Sequence, residues 1–164
     1  MSNSLTGFYI FDNNLYINYH FLYIYKKNLN IKIMHFIYEA IFVGLYVLPL
    51  YYIIKFFDFY IPFEFFIIGF IKHLVGYYSN LHSYYCNNGY SCKKINYIAI
   101  NNYIFSQSII EGFLFIIVGY ILCYFIKNKY ILYFFIGFIL HVSSELLQLH
   151  TYYCNTYCFT NIAH

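Results

Sequence analysis

The chain has 164 residues, of which 62% are hydrophobic and only 9% are charged. Soluble domains carry about 25% charged residues, so this composition excludes an ordinary soluble domain and predicts a protein that lies within a membrane. The formal net charge of +3 comes from lysines scattered along the chain, which excludes the clustered basic stripe typical of nucleic-acid-binding proteins.

Residues 1–33 lack a continuous apolar stretch, because polar and charged residues such as Asp12 and Lys26 interrupt them. They also lack the compact apolar region and small-residue cleavage site of a signal peptide. Met34 stands directly before the first long apolar segment. We therefore interpret residues 1–33 as an N-terminal extension that is either poorly ordered or not native, with translation starting at Met34.

Four long apolar segments then follow, and we predict transmembrane helices at about 33–57, 61–81, 105–126 and 131–149. Each is close to the roughly 20 residues that cross about 30 Å of hydrocarbon at 1.5 Å per residue. The breaks within the first pair and within the second pair are short, so each pair forms an antiparallel hairpin. The expected fold class is all-α, a four-helix transmembrane bundle. Its parts are the extension at 1–33, a first transmembrane hairpin at 34–82, a polar connecting loop with a Cys pair at 83–104, a second transmembrane hairpin at 105–150, and a short tail with a Cys pair at 151–164.

The two hairpins share an internal repeat. Residues 69–73, Gly-Phe-Ile-Lys-His, recur at 137–141 as Gly-Phe-Ile-Leu-His. The His-Ser-Tyr-Tyr-Cys-Asn segment at 82–87 recurs in the same register at 150–155 as His-Thr-Tyr-Tyr-Cys-Asn. We interpret this as duplication. Because each copy crosses the membrane twice, the prediction becomes two tandem, parallel helical-hairpin repeats, with both His–Tyr–Tyr–Cys motifs on one side.

Counting lysines predicts which side that is. Five lysines lie on the motif side and three on the opposite side, so the positive-inside rule predicts that the motifs face the cytoplasm. Three of the five belong to the N-terminal extension. The orientation predicted for this multi-pass membrane protein therefore depends on residues 1–33.

The loop and the tail contain a first candidate site, made of Cys and His side chains. Thiolate and imidazole are ligands that suit zinc. An even set of four loop cysteines is also typical of two disulfides on an oxidising face, since the fifth, Cys123, lies within a predicted helix. We favour disulfides over zinc here. The candidate residues are His82, Cys86, Cys92, His150, Cys154 and Cys158.

A second set of polar residues lies within the predicted helices, where ionisable groups face the bundle interior and need partners. The simplest interpretation is hydrogen bonding between helices, with the glutamates paired to histidines or Lys72. A metal or proton site is the first alternative, and a haem held by two imidazoles, from His73 and His141, is the second. The set comprises Glu39, His73, Glu111, His141, Glu145 and Gln148.

One segment carries a resemblance to known proteins. It runs from Gly137 through His141 and Glu145 to Cys154, with two tyrosines before the cysteine. This pattern resembles a small family of uncharacterised multipass membrane proteins encoded by large nucleocytoplasmic DNA viruses. The resemblance covers roughly the third and fourth helices, and in the first copy Tyr77 replaces the glutamate. It implies a viral protein in a host endomembrane or virion membrane, and it implies no catalytic residue.

The sequence therefore predicts a small multipass integral membrane protein with a non-enzymatic role, as a viral membrane or assembly component. The alternative is a membrane-embedded metal- or proton-handling protein that uses the Glu/His set. Expected partners are the lipid bilayer and either further copies of the chain or other membrane proteins, and nucleic acid is not expected. This interpretation requires no cofactor, and zinc is the candidate if one is bound.

Overall fold

A computed structural model of the protein describes residues 34–92 and 97–160. The contacts described below all lie within one compact unit, Phe36–His164. The expectations for residues 1–33, including a translation start at Met34, fall outside the described residues.

Six helices form the described part of the chain. They are α1 (Met34–Phe57), α2 (Ile61–Tyr78), α3 (Leu81–Asn88), α4 (Ile104–Phe125), α5 (Lys129–Leu146) and α6 (Leu149–Tyr157). Four of them, α1, α2, α4 and α5, are long and apolar enough to cross a membrane. The four predicted apolar helices are therefore confirmed.

Local signals explain why the long helices meet at tight turns. A 3-10 turn, Lys55–Phe57, ends α1, and Asp58 after it has a left-handed backbone with φ of 51°. Pro62 lies in the first turn of α2, where its missing N–H costs no hydrogen bond. At the other turn the Asn128 side chain caps α5 by accepting hydrogen bonds from the backbone N–H groups of its first turn.

The helices pack through small residues that allow close backbone approach. A Cβ atom added at Gly137 of α5 would lie 3.2 Å from the Cα atom of Gly44 in α1. A Cβ atom added at Gly69 of α2 would lie 2.7 Å from the Phe115 ring of α4. Thus α1 packs on α5 and α2 packs on α4, as small residues at membrane helix interfaces do. Many large apolar side chains on the outer faces of these helices are exposed, which suits a lipid environment.

Two short helices follow the long ones. Asn80 separates α2 from α3, and Gln148 separates α5 from α6; both have left-handed backbones, with φ of 61° and 58°. A two-stranded antiparallel sheet, β1 (Tyr97–Ala99) with β2 (Cys158–Thr160), joins the segments that follow α3 and α6. The predicted connecting loop and tail therefore contain helix and strand, and this small sheet is an addition to the all-α expectation.

Two disulfides join the segment that follows α2 to the segment that follows α5. They link Cys86 to Cys158 and Cys92 to Cys154, with Cα–Cα distances of 5.7 and 5.3 Å. Cys123 in α4 is the free cysteine among the described residues. The cysteines of the loop and of the tail thus bond to each other rather than within their own segments, a pairing that spacing alone does not determine.

Candidate functional site

Two polar clusters lie near the ends of α2 and α5 that lead into the short helices. We call the first cluster the group of Lys72, His73, His82, Gln107 and Glu111. We call the second cluster the group of Glu39, Tyr85, His141, Glu145 and His150. Each joins a histidine of a long helix, a histidine of the following short helix and a glutamate from another long helix.

The first cluster is a closed ion-pair network. The Glu111 carboxylate pairs with the ammonium of Lys72 and, at 2.5 Å, with Nδ1 of His73. The other ring nitrogen of His73 lies 3.3 Å from Oε1 of Gln107, which also accepts a hydrogen bond from Asn101. Because both nitrogens of His73 already have partners, this imidazole offers no lone pair to a metal or a haem without breaking these contacts.

His82 completes the first cluster from α3. Its ring lies edge-on to that of His73, with a centroid distance of 4.8 Å, and 5.7 Å from that of Tyr153. Burial, and then the nearby His73, lower the pKa of His82 to about 3. His82 is therefore a neutral imidazole at physiological pH.

The second cluster is centred on Glu145. One carboxylate oxygen accepts hydrogen bonds from the hydroxyl of Tyr85, at 2.7 Å, and from Nδ1 of His150, at 2.8 Å. The other oxygen accepts one from the Ser91 hydroxyl at 2.6 Å. Burial, and then the neighbouring Glu145 carboxylate, raise the pKa of Tyr85, so this phenol stays protonated and donates. Glu145 is thus held in one orientation by three donors.

His141 has a different environment from its counterpart His73. It is 8% exposed, and its ring centroid lies 4.6 Å from that of His150. Among the described residues its Nε2 atom has no hydrogen-bond partner. That atom faces Oε2 of Glu39 at 3.6 Å, while Oε1 of Glu39 accepts a hydrogen bond from the backbone of Tyr90. A buried polar atom left in this way needs a partner.

The second cluster has the dimensions of a metal site. One ligand atom from each of His141, Glu145 and His150 can be chosen so that all three lie within 4.8 Å of one another. Ligands at 2.0–2.1 Å around tetrahedral zinc lie about 3.3 Å apart. Small side-chain rotations would therefore bring these three atoms to a shared ion, with a carboxylate oxygen of Glu39 beside them as a fourth ligand.

The structure separates the predicted Cys/His set. The four cysteines are bonded as two disulfides, the interpretation favoured over zinc, so their sulfur atoms are not thiolate ligands. His82 lies with His73, and His150 lies with Glu145. The histidines therefore belong to the polar clusters rather than to the cysteines that neighbour them in sequence.

One residue of the second predicted set lies apart from the others. Gln148 is exposed and lies in the left-handed turn beyond the end of α5. Periodicity places residues on one face only while the helix continues. Glu39 and Glu111 do reach histidines, as His141 and His73 are their neighbours.

Sequence reasoning missed two features. Tyr85 and Ser91 bind Glu145 from the connecting segment, and no local pattern reveals such a contact. Glu64 is buried near the opposite end of α2 and pairs with Lys129. A carboxylate in the first turn of an apolar helix was a signal that could have found it.

No family model, curated protein or solved structure matches the sequence. The chemistry of the two clusters is therefore argued from their own geometry. The first cluster already contains a cation, the Lys72 ammonium, against its carboxylate. Leu140 stands at the matching place in the second hairpin, and the second cluster combines two carboxylates with two imidazoles.

Proposed function

We propose that this chain is a small, non-enzymatic, multipass integral membrane protein that binds a divalent transition-metal ion, zinc foremost, in the second cluster. The observation that carries the proposal is the buried Nε2 atom of His141, which has no hydrogen-bond partner among the described residues and faces a carboxylate at 3.6 Å. An ion bound between the two side chains would give Nε2 of His141 a partner.

The ligand chemistry favours zinc over harder ions. Magnesium and calcium prefer sites made of oxygen atoms alone, whereas the second cluster supplies imidazole nitrogen from His141 and His150. Imidazole and carboxylate together suit zinc, and copper is the competitor with similar preferences. The hydrogen bonds from Tyr85 and Ser91 to Glu145 would orient this ligand, as outer partners do in metal sites.

The proposal places the two clusters in a tandem-repeat architecture. Two features support it: α2 and α5 have the same length, and each is followed by a left-handed residue and then a short helix. The disulfides add support, because in each one a cysteine that follows α2 pairs with a cysteine that follows α5. Parallel repeats bring these ends to one side of the membrane.

The disulfides also favour an orientation. Disulfides persist in oxidising compartments and on virion or cell surfaces, so we infer that the disulfide end faces a lumen or the exterior. The count of lysines predicts the cytoplasm instead, but it relies on residues 1–33. We give the disulfides greater weight because they bond residues of the two hairpins directly.

A role as a viral membrane or assembly component is compatible with this proposal. Its support is the large exposed apolar surface of the four long helices and the resemblance of the second hairpin to viral multipass proteins. A host endomembrane or virion membrane is the corresponding location. The first cluster, with its ion pair closed by Lys72, serves in either role as polar contact between helices.

Elemental analysis of detergent-purified protein tests the metal site. We expect a single zinc ion per chain in the wild type, loss of zinc in His141→Gln, and retention of zinc in His73→Gln, the matching change in the first cluster. Thermal unfolding of each variant shows whether it is folded. Wild-type protein without metal after zinc loading, or a folded His141→Gln variant that retains the ion, would contradict the proposal.

A further inference from the structure

A cavity of about 170 Å³ lies between α2, α4 and α5, away from the two clusters. Cavities of about 150 Å³ admit a ligand as large as benzene. Apolar side chains of Phe65, Ile126 and Leu132 line it, together with the charged groups of Glu64, Lys127 and Lys129. It lies near the first turns of α2 and α5, where these helices meet the membrane boundary.

Glu64 is the unusual member of this cavity. It is only 4% exposed, and its Oε2 atom pairs with the Lys129 ammonium at 3.3 Å. Its Oε1 atom is buried and has no hydrogen-bond partner among the described residues, although the Tyr133 phenol lies in the same wall and interacts with the carboxylate. A buried carboxylate oxygen without a donor is costly, so Oε1 of Glu64 favours a ligand that brings an N–H or O–H group to it.

The charges around the cavity indicate which ligand would supply that group. Glu64 is one negative charge inside, while Lys127 and Lys129 are two positive charges, both on exposed side chains. A ligand with an ammonium alone would meet Glu64 but would be repelled by the lysines. A ligand with both an ammonium and a phosphate would match both, because the phosphate could lie beside the lysines.

We propose that this cavity binds the headgroup of a phospholipid that carries a primary ammonium and a phosphate, with the ammonium donating to Glu64 and the phosphate beside Lys127 and Lys129. The acyl chains would lie along the exposed apolar side chain of Ile61 at the cavity wall. This inference rests on the membrane location in the proposed function but not on the metal site.

The chemistry of the headgroup sets the specificity. A primary ammonium has three N–H donors, whereas the quaternary ammonium of a choline headgroup has none. Of the two headgroups, only the primary ammonium can donate a hydrogen bond to Oε1 of Glu64. We therefore expect an ethanolamine phospholipid to bind about tenfold or more tightly than a choline phospholipid with the same acyl chains.

Native mass spectrometry of the purified protein, mixed with equal amounts of these two lipids, measures that preference. We expect wild type to retain the ethanolamine lipid selectively and Glu64→Gln to lose the selectivity. Asp58→Asn is the matched control, because Asp58 is an exposed carboxylate in the turn before α2, and Asn tolerates its left-handed backbone. This variant should retain the wild-type selectivity.

Cys123 supplies a second readout on the unaltered chain, because its thiol lines the same cavity. Bound ethanolamine lipid should slow maleimide labelling of Cys123 more than choline lipid does. Soluble phosphoethanolamine should protect far less, because it lacks acyl chains.

Equal retention and equal protection by the two lipids in wild type would overturn the proposal. Equal protection by soluble phosphoethanolamine at similar concentrations would show that the ligand need not be a lipid, and would overturn that part of the proposal. Zinc content is measured on the same samples, so that a failure of the lipid proposal is distinguished from a failure of the proposed metal site.

Discussion

The imidazole Nε2 of His141 and the carboxylate Oε2 of Glu39 lie 3.6 Å apart, beyond a hydrogen bond, although the two side chains are only 7% and 17% exposed. In the first cluster the matching pair, His73 and Glu111, is in direct contact at 2.5 Å. A cation held between His141 and Glu39 would produce this longer distance, because both side chains would bind the ion instead of each other. The second cluster is therefore the one in which we expect a bound ion.

Replacing Tyr85 with Phe should weaken zinc binding by about 10–100-fold, because the Tyr85 hydroxyl orients the Glu145 carboxylate. Competition with a chromophoric chelator in detergent measures the affinity. Tyr153→Phe is the matched control: Tyr153 lies beside His82 of the first cluster, and its hydroxyl has no hydrogen-bond partner among the described residues. Similar losses in both variants would contradict the assignment of Tyr85.

Acidification should destabilise the protein partly through His82. Its folded pKa is about 3, whereas an unfolded histidine has a pKa of about 6.5. Below pH 6.5 the unfolded state therefore binds more protons at this residue, and stability is lost as the pH falls towards 3. Between pH 7 and 5, the wild type should lose about 2 kcal/mol more unfolding free energy than His82→Gln.

Equilibrium unfolding in mixed detergent at both pH values measures this difference. Other titrating groups affect the wild type and the variant alike, so the comparison isolates His82. An identical loss of stability in the two proteins would show that His82 is not buried in its neutral form.

Removing the disulfide between Cys86 and Cys158 by substituting both with Ser should lower the unfolding free energy by about 2–5 kcal/mol, because this bond closes a long loop. Cys123→Ser, at the free cysteine, should change it by no more than about 0.5 kcal/mol. Peptide mapping without reductant should recover the 86–158 and 92–154 pairs. Recovery of an 86–92 pair instead would contradict the fold of this end.

The contact between α1 and α5 predicts a sensitive glycine. Gly44→Ala would place a Cβ atom 2.8 Å from the backbone oxygen of Phe134, and such overpacking costs about 1–3 kcal/mol. Leu45→Ala is the control on the same helix, since Leu45 is exposed on the outer face. Thermal unfolding in detergent should show a lower Tm for the first variant only. Equal Tm values would place this interface elsewhere.

The long helices were predictable because their signals are local. Each segment is apolar over the length that crosses a membrane, and Asn128 is a residue type that is favoured directly before a helix. The Glu and His residues of these helices were also recognisable, because ionisable groups in apolar helices need partners. The contacts of Glu111 with Lys72 and His73 follow that expectation.

The sequence does not reveal that His82 and His150 lie with the polar clusters rather than with the neighbouring cysteines. At Asn80 the backbone takes a left-handed conformation, and the turn brings His82 of α3 alongside Gly76 of α2. A second left-handed turn, at Gln148, ends the helical spacing of α5 and removes this residue from its face. The pairing of the cysteines and the cavity at Glu64 depend on contacts between distant segments, which one sequence does not specify.

X-ray absorption at the zinc edge of the zinc-loaded, disulfide-bonded protein tests the metal site most directly. We predict a first shell of nitrogen and oxygen atoms alone at about 2.0–2.1 Å, with the outer-shell scattering of two imidazoles. Zinc–sulfur scattering at about 2.3 Å would show that cysteines hold the ion, and would contradict the assignment to His141, Glu145 and His150.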